Sequence, residues 1–237
     1  MKQSNIILVI RFTLVLAIIA SIYELSWMSL YNSCLTLFLT FIPNILSKKY
    51  HIKLPNLLQF FIILFIYASI FLGEVNQFYD RFWWWDSALH FSSGIALGFI
   101  GFLVTYILYK TNKIRTDPIF IAIFSLMFAI SLGVFWEIYE FSADQFSGAD
   151  MQKARDLNKN DEFCDTRVGV IDTMFDLILD TSGALIAAVA GYLFIIKKKA
   201  FFFGSIVHEF EKENQYLFRI EDENNKIKRK KSSKNNK

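Results

Sequence analysis

The sequence predicts an all-α, polytopic membrane protein that crosses the bilayer about six times. Three observations carry this expectation. Of the 237 residues, 54% are hydrophobic, a modest excess over the roughly 45–50% of an ordinary soluble domain. They are gathered, however, into runs of about 20, the length that spans a bilayer as a helix. The charged 20% is bunched between those runs, and lysine and arginine concentrate in alternate connections. This pattern excludes a disordered chain, a rod of repeated sequence and a secreted disulfide scaffold. Cys34 lies in an apolar run and Cys164 in a polar loop, which gives neither a disulfide framework nor a zinc spacing. Nothing alternates as outer-membrane strands do, and helices satisfy their own backbone groups in lipid.

The first apolar segment is 6–23. Arg11 interrupts it and no small-residue cleavage site follows, so an uncleaved helix is expected rather than a signal peptide. Near a helix end Arg11 would snorkel to the headgroups. The second segment, 28–46, is the weakest, because it contains Asn32, Thr36, Thr40 and Pro43. The third is 56–73, the fourth 84–109, the fifth 118–141 and the sixth 171–196. Residues 1–196 are thus expected to form the membrane domain. Residues 197–237 would be a basic tail, with Ile206, Phe210, Leu217 and Ile220 suggesting a short amphipathic helix before IKRKKSSKNNK. Anionic headgroups explain that basic end, and no nucleic acid is expected.

Orientation follows from the short connections. Lys48, Lys49 and Lys53 mark one loop, and Lys110, Lys113 and Arg115 another. Lys197, Lys198 and Lys199 open the tail. The opposite connections are poor in lysine and arginine. In the long 142–170 loop, Lys153, Arg155, Lys159 and Arg167 are diluted by the acids from Asp144 to Asp165. Both termini are expected to be cytoplasmic, and the expected location is the bacterial plasma membrane. Trp27, Trp83, Trp84, Trp85 and Trp136 then fall on the outer side, as an interfacial belt or as a platform for a lipid-like substrate.

Ionisable groups at membrane depth cost a few kcal/mol each, so they mark functional candidates. The fourth segment opens WWWDSALHFSSG and places Asp86 and His90 on one helix face. The fifth ends GVFWEIYEFSADQ, with Glu137, Glu140 and Asp144 at spacings of three and four. The sixth opens IDTMFDLILDTSGA, with Asp172, Asp176 and Asp180 at successive fours. Spacings of three and four stack side chains on one face. With the helices alternating in direction, all three stripes fall at the outer level. The candidate catalytic residues are Asp86, His90, Glu137, Glu140 and Asp176. The candidate metal ligands are Asp86, His90, Glu137, Asp172, Asp176 and Asp180. Packed carboxylates cannot all remain ionised without a cation or shared protons. Oxygen-rich ligands with one imidazole suit Mg²⁺, Mn²⁺ or Ca²⁺, and also Zn²⁺. The plainer alternative makes some of these acids helix caps or internal polar pairs, above all Asp144 and Asp172. Gly94, Gly98, Gly183, Ala187 and Gly191 form small-residue stripes that let helices approach closely.

The runs WWWDSALHFSSGIALGFIG, WEIYEF and DTMFDLILDTSGALIAA resemble the YjdF-type bacterial membrane proteins over roughly residues 74–195. More distantly, the order Asp-x-x-x-His, Glu-bearing helix and Asp before a small-residue turn is similar to the VanZ-like family. That family is associated with glycopeptide antibiotic tolerance, but its pattern has Asn near Asp180, so the resemblance implies fold and site rather than antibiotic function. The functional expectation is a metal-assisted envelope enzyme acting on a lipid or lipid-linked substrate. The alternatives are a proton-coupled transporter and a non-catalytic assembly or stress-response protein. The absence of an inverted repeat counts against a carrier.

Overall fold

A computed structural model describes residues 3–147, 150–154, 166–197 and 201–218. Every regular element among them is helical. In chain order these are α1 (Gln3–Tyr23), α2 (Trp27–Leu39), α3 (Ile42–Tyr50) and α4 (Asn56–Ile66). A π-helix, Tyr67–Val75, continues α4. Then come α5 (Phe78–Arg81), α6 (Trp85–Lys110), α7 (Pro118–Ser147), α8 (Thr166–Lys197) and α9 (Phe201–Glu213). Among the described residues, six stretches are long and apolar enough to cross a membrane: Gln3–Tyr23, Trp27–Tyr50, Asn56–Val75, Trp85–Lys110, Pro118–Phe146 and Arg167–Lys197. The chain divides into two compact units.

The first unit comprises Met1–Trp83, Leu103–Asp117 and Leu193–Lys237. Its apolar centre is Ile10, Leu14, Ile63 and Phe71, joined by Leu37, Leu64 and Tyr67. The polar second span is broken at Thr40 and Phe41, between α2 and α3, and Pro43 sits in the first turn of α3, where its missing N–H does no harm. Arg11 does not simply run to the headgroups. Its Nη2 donates to the Thr40 carbonyl at 2.9 Å and its Nε to Thr40 Oγ1 at 3.2 Å. The guanidinium carbon also lies 4.0 Å from the centre of the Phe41 ring. Arg11 therefore supplies donors where the helix break leaves the backbone without them. Arg11→Leu should cost about 1–3 kcal/mol, the penalty for orphaned polar groups out of water, read as a lower unfolding temperature in detergent. An unchanged temperature would make this contact incidental.

In the tail, Ile206 and Phe210 are buried and Leu217 is half-buried, whereas Ile220 lies outside the described residues. Asn214, fully buried, accepts from the Lys53 N–H at 2.7 Å and donates to the Lys53 carbonyl at 2.7 Å. Glu209 Oε1 accepts from the Asn56 N–H at 3.1 Å. It thereby satisfies a free donor at the start of α4, where Pro55 stands just before the helix. The start of the tail is thus built into the unit. Lys198, Lys199 and the basic end lie outside the described residues.

The second unit comprises Trp84–Phe102 and Pro118–Tyr192, that is, most of α7 and α8 with the first half of α6. Glycines set its helix separations. A Cβ on Gly94 would lie 2.2 Å from the Asp180 carbonyl oxygen, and one on Gly183 would lie 2.2 Å from that of Phe91. A Cβ on Gly98 would press on Ala187 at 2.8 Å. Ser125 Oγ donates to the Gly98 carbonyl at 2.5 Å, joining α7 to α6. Helices α7 and α8 are longer than their apolar cores. At about 1.5 Å per residue they run some 45 Å, against a hydrocarbon thickness of about 30 Å. Both ends of the expected 142–170 loop are therefore helix, from Ser142 to Ser147 and from Thr166 to Val170.

Candidate functional site

Asp86 stands in the first turn of α6 and His90 one turn later, at the level where α6 and α8 meet backbone to backbone. That close approach brings the α8 acids to the imidazole, and α7 adds a third wall. Both ring nitrogens face a pair of carboxylates. Nε2 lies 3.7 Å from Asp86 Oδ1 and 3.8 Å from Asp176 Oδ2. Nδ1 lies 3.3 Å from Asp180 Oδ2 and 3.9 Å from Glu137 Oε1. His90, Glu137, Asp176 and Asp180 are only 7%, 4%, 3% and 3% exposed. Water is therefore a poor source of compensation for their charge.

Neighbouring groups hold these carboxylates unevenly. Asp180 accepts from Ser93 Oγ on Oδ1 at 2.5 Å, which leaves Oδ2 towards His90. Asp86 is ion-paired through Oδ2 to the Lys153 ammonium, which leaves Oδ1 towards His90. Neither oxygen of Glu137 has a hydrogen-bond partner, and neither has Asp176 Oδ2. Buried carboxylate oxygens are rarely left so. Gly133, one turn before Glu137, makes room for Asp180: a Cβ there would lie 2.7 Å from Asp180 Oδ2.

The remaining sequence candidates have other surroundings. Glu140 is buried but accepts from the Trp136 indole N–H at 2.8 Å. Asp144 caps the following turn, accepting the Met151 N–H at 2.7 Å and the Gln152 N–H at 3.0 Å. Asp172 lies at the rim, 3.3 Å from Lys153 Nζ, with its Oδ2 buried and without a hydrogen bond. Lys153 was visible in the sequence only as one charge in a mixed loop. It sits in a left-handed backbone conformation at φ +50°, and its ammonium turns back to Asp86 and Asp172. Partial burial alone would lower its pKa, but these carboxylates outweigh that and hold it above the usual lysine value. Its charge therefore persists across the physiological range. Gly133 and Ser93 were also passed over as site residues, although both lie one turn from a candidate on the same helix face.

Among the described residues, two groups of side chains have the geometry to hold a cation: Asp86, His90 and Asp176, and His90, Glu137 and Asp180. Within each group the potential ligand atoms lie within 4.8 Å of one another. Two ligands on one cation, with bonds of about 2.1 Å at tetrahedral to octahedral angles, stand about 3.0–3.5 Å apart. The separations from His90 would need to close by less than about 1 Å, and those between the carboxylates by up to about 1–2 Å. The N···O separations beyond 3.5 Å are too long for hydrogen bonds. Gly133→Ala should drive the Asp180 carboxylate from His90 Nδ1 while leaving α7 helical. Its check is a nitrogen chemical shift of the His90 ring that moves as far as it does in Asp180→Ala.

A family model described as "Predicted membrane protein (DUF2238)" matches residues 5–197. The chain is also similar to an uncharacterized protein of Thermotoga maritima. The two are 26% identical over 156 residues, 64% of this chain and 70% of the relative. No solved structure matches. The matched region takes in the six apolar spans, save the first two residues of Gln3–Tyr23, and every residue around His90, and the chain belongs to the DUF2238 family of predicted membrane proteins.

Proposed function

We propose that this protein is a bacterial plasma-membrane enzyme that uses a divalent cation, held at His90, to act on a lipid or lipid-linked substrate. The observation that carries this reading is a buried imidazole among four carboxylates, three of whose oxygens have no hydrogen-bond partner. A cation supplies the missing charge and the missing bonds together. Once bound, it would polarise a phosphoryl or carbonyl oxygen or activate a water molecule. Glu140, buried one turn beyond Glu137, is the acid best placed to exchange a proton with that water. A lipid substrate fits the apolar surface around the site, where Trp84, Trp136 and Tyr139 are exposed. We also read the chain as kin to the YjdF-type proteins and, more distantly, the VanZ-like proteins, on the motifs that surround the site. Proton coupling is the second reading, because one imidazole between two carboxylate pairs could also pass a proton.

The test is thermal unfolding of the purified full chain in detergent with Mg²⁺, Mn²⁺, Ca²⁺ or Zn²⁺. A cation that binds only the folded state adds about 2.7 kcal/mol at 100 times its dissociation constant. The parent should gain stability with at least one of the four, and His90→Ala, which removes the ligand common to both groups, should not. A parent indifferent to all four would overturn the metal reading and leave proton coupling.

The site is further proposed to face outward, on the lysine and arginine bias of the connections. In a background lacking Cys34 and Cys164, a cysteine at Gln145 should react with an impermeant thiol reagent in intact cells, and one at Lys113 should not. Both positions are exposed. The reverse pattern would turn the site to the cytoplasm.

A further inference from the structure

We infer that the site is binuclear, with the His90 ring bridging two divalent cations as an imidazolate. This rests on the metal reading above and goes beyond it in number, ligand sharing and charge. The two groups of candidate ligands share no residue except His90, and each approaches a different ring nitrogen. Asp86 Oδ1 and Asp176 Oδ2 face Nε2, while Asp180 Oδ2 and Glu137 Oε1 face Nδ1.

The two sides repeat one design. On each, one carboxylate is fixed from behind by an outer donor: Lys153 holds Asp86 and Ser93 holds Asp180. On each, the other carboxylate has an unpartnered buried oxygen. These are Asp176 Oδ2 and both oxygens of Glu137, at 3% and 4% residue exposure. A single cation at Nε2 would leave Glu137 only the Thr173 hydroxyl beside it, and a single cation at Nδ1 would leave Asp176 Oδ2 without a hydrogen bond. Two cations satisfy both sides.

Charge favours the same count. Two divalent cations contribute four positive charges and Lys153 a fifth, against the four ligand carboxylates, the imidazolate and Asp172, which shares Lys153. One negative charge remains, against two for a single cation with a neutral imidazole, so the second cation brings the site nearer to the neutrality that membrane depth favours. On binding the second cation, the ring N–H bond breaks, a metal–nitrogen bond forms and the proton leaves to solvent. The two cations would stand roughly 6 Å apart, two metal–nitrogen bonds of about 2.0–2.1 Å added to the width of the ring.

The experiment is elemental analysis of the full chain in detergent after saturation with Zn²⁺ and removal of the excess. Bound zinc is counted as the difference from His90→Ala, which cancels zinc held by other side chains. The parent should exceed His90→Ala by two per chain. Asp176→Asn and Glu137→Gln, both near-isosteric, should each exceed it by one, and the double variant by none. A parent excess of one overturns the binuclear site but leaves the metal reading intact. An excess of zero overturns both. Should a variant fail to fold, Cu²⁺ in the parent decides alone by electron paramagnetic resonance. Two imidazolate-bridged ions give the spectrum of a coupled pair, and a spectrum of isolated Cu²⁺ alone overturns the bridge.

Discussion

Gly94→Val should prevent the protein from reaching a stable folded state, with a cost of about 3 kcal/mol or more, at the upper end for overpacking. Even the first added carbon would lie 2.2 Å from the Asp180 carbonyl oxygen and 2.9 Å from two further backbone atoms. A flexible side chain can swing away from such a collision, but helix backbone cannot. Helix α8 would be driven off α6, and Asp176 and Asp180 would leave His90 together. Gly183→Val should do the same from the other helix, because its Cβ would meet the Phe91 carbonyl oxygen at 2.2 Å. Gly204→Ala is the control, since a Cβ there meets Phe194 at an ordinary 3.5 Å. Size-exclusion profiles and unfolding curves in detergent check all three. A Gly94→Val protein that elutes and unfolds like the parent would contradict the backbone contact at this crossing.

His90→Ala should abolish the response to divalent cations while sparing the fold. The imidazole is the one side chain shared by both candidate ligand groups, so its removal takes a nitrogen ligand from each. Losing an outer hydrogen-bond partner of a metal ligand already weakens binding by about 10–100-fold, and losing the ligand itself should cost more than 100-fold. Insertion should persist, because alanine is easier to place in lipid than an ionisable ring. Isothermal titration with Zn²⁺ reads the affinity, and membrane yield reads insertion. A variant that retains the parent's affinity would place any bound cation away from His90.

Much of this was legible in the sequence because it is periodic. Six apolar runs of spanning length are a one-dimensional signal, and each expected segment overlaps an observed span. The stripes Asp86–His90, Glu137–Glu140 and Asp172–Asp180 follow the helical repeat, so their common faces could be read directly. The break at Thr40 was signalled only as polarity, because whether a polar span bends or merely packs depends on its neighbour, here Arg11. The π-helix over Tyr67–Val75 had no signal, since a wider turn changes spacing without changing composition. Helices α7 and α8 outran their apolar cores because hydropathy measures where lipid ends, and helix hydrogen bonds continue past it. Lys153 was hidden for another reason. Its place depends on a left-handed turn after α7, which no pattern of apolar residues encodes.

Zn²⁺ located by anomalous X-ray diffraction from crystals of the full chain tests the central claim most directly. The account predicts an anomalous peak about 2.1 Å from a His90 ring nitrogen, with carboxylate oxygens of Asp86 and Asp176, or of Glu137 and Asp180, completing the coordination. A well-ordered His90 with no peak beside either nitrogen, at a Zn²⁺ concentration that fills other sites on the chain, would contradict it.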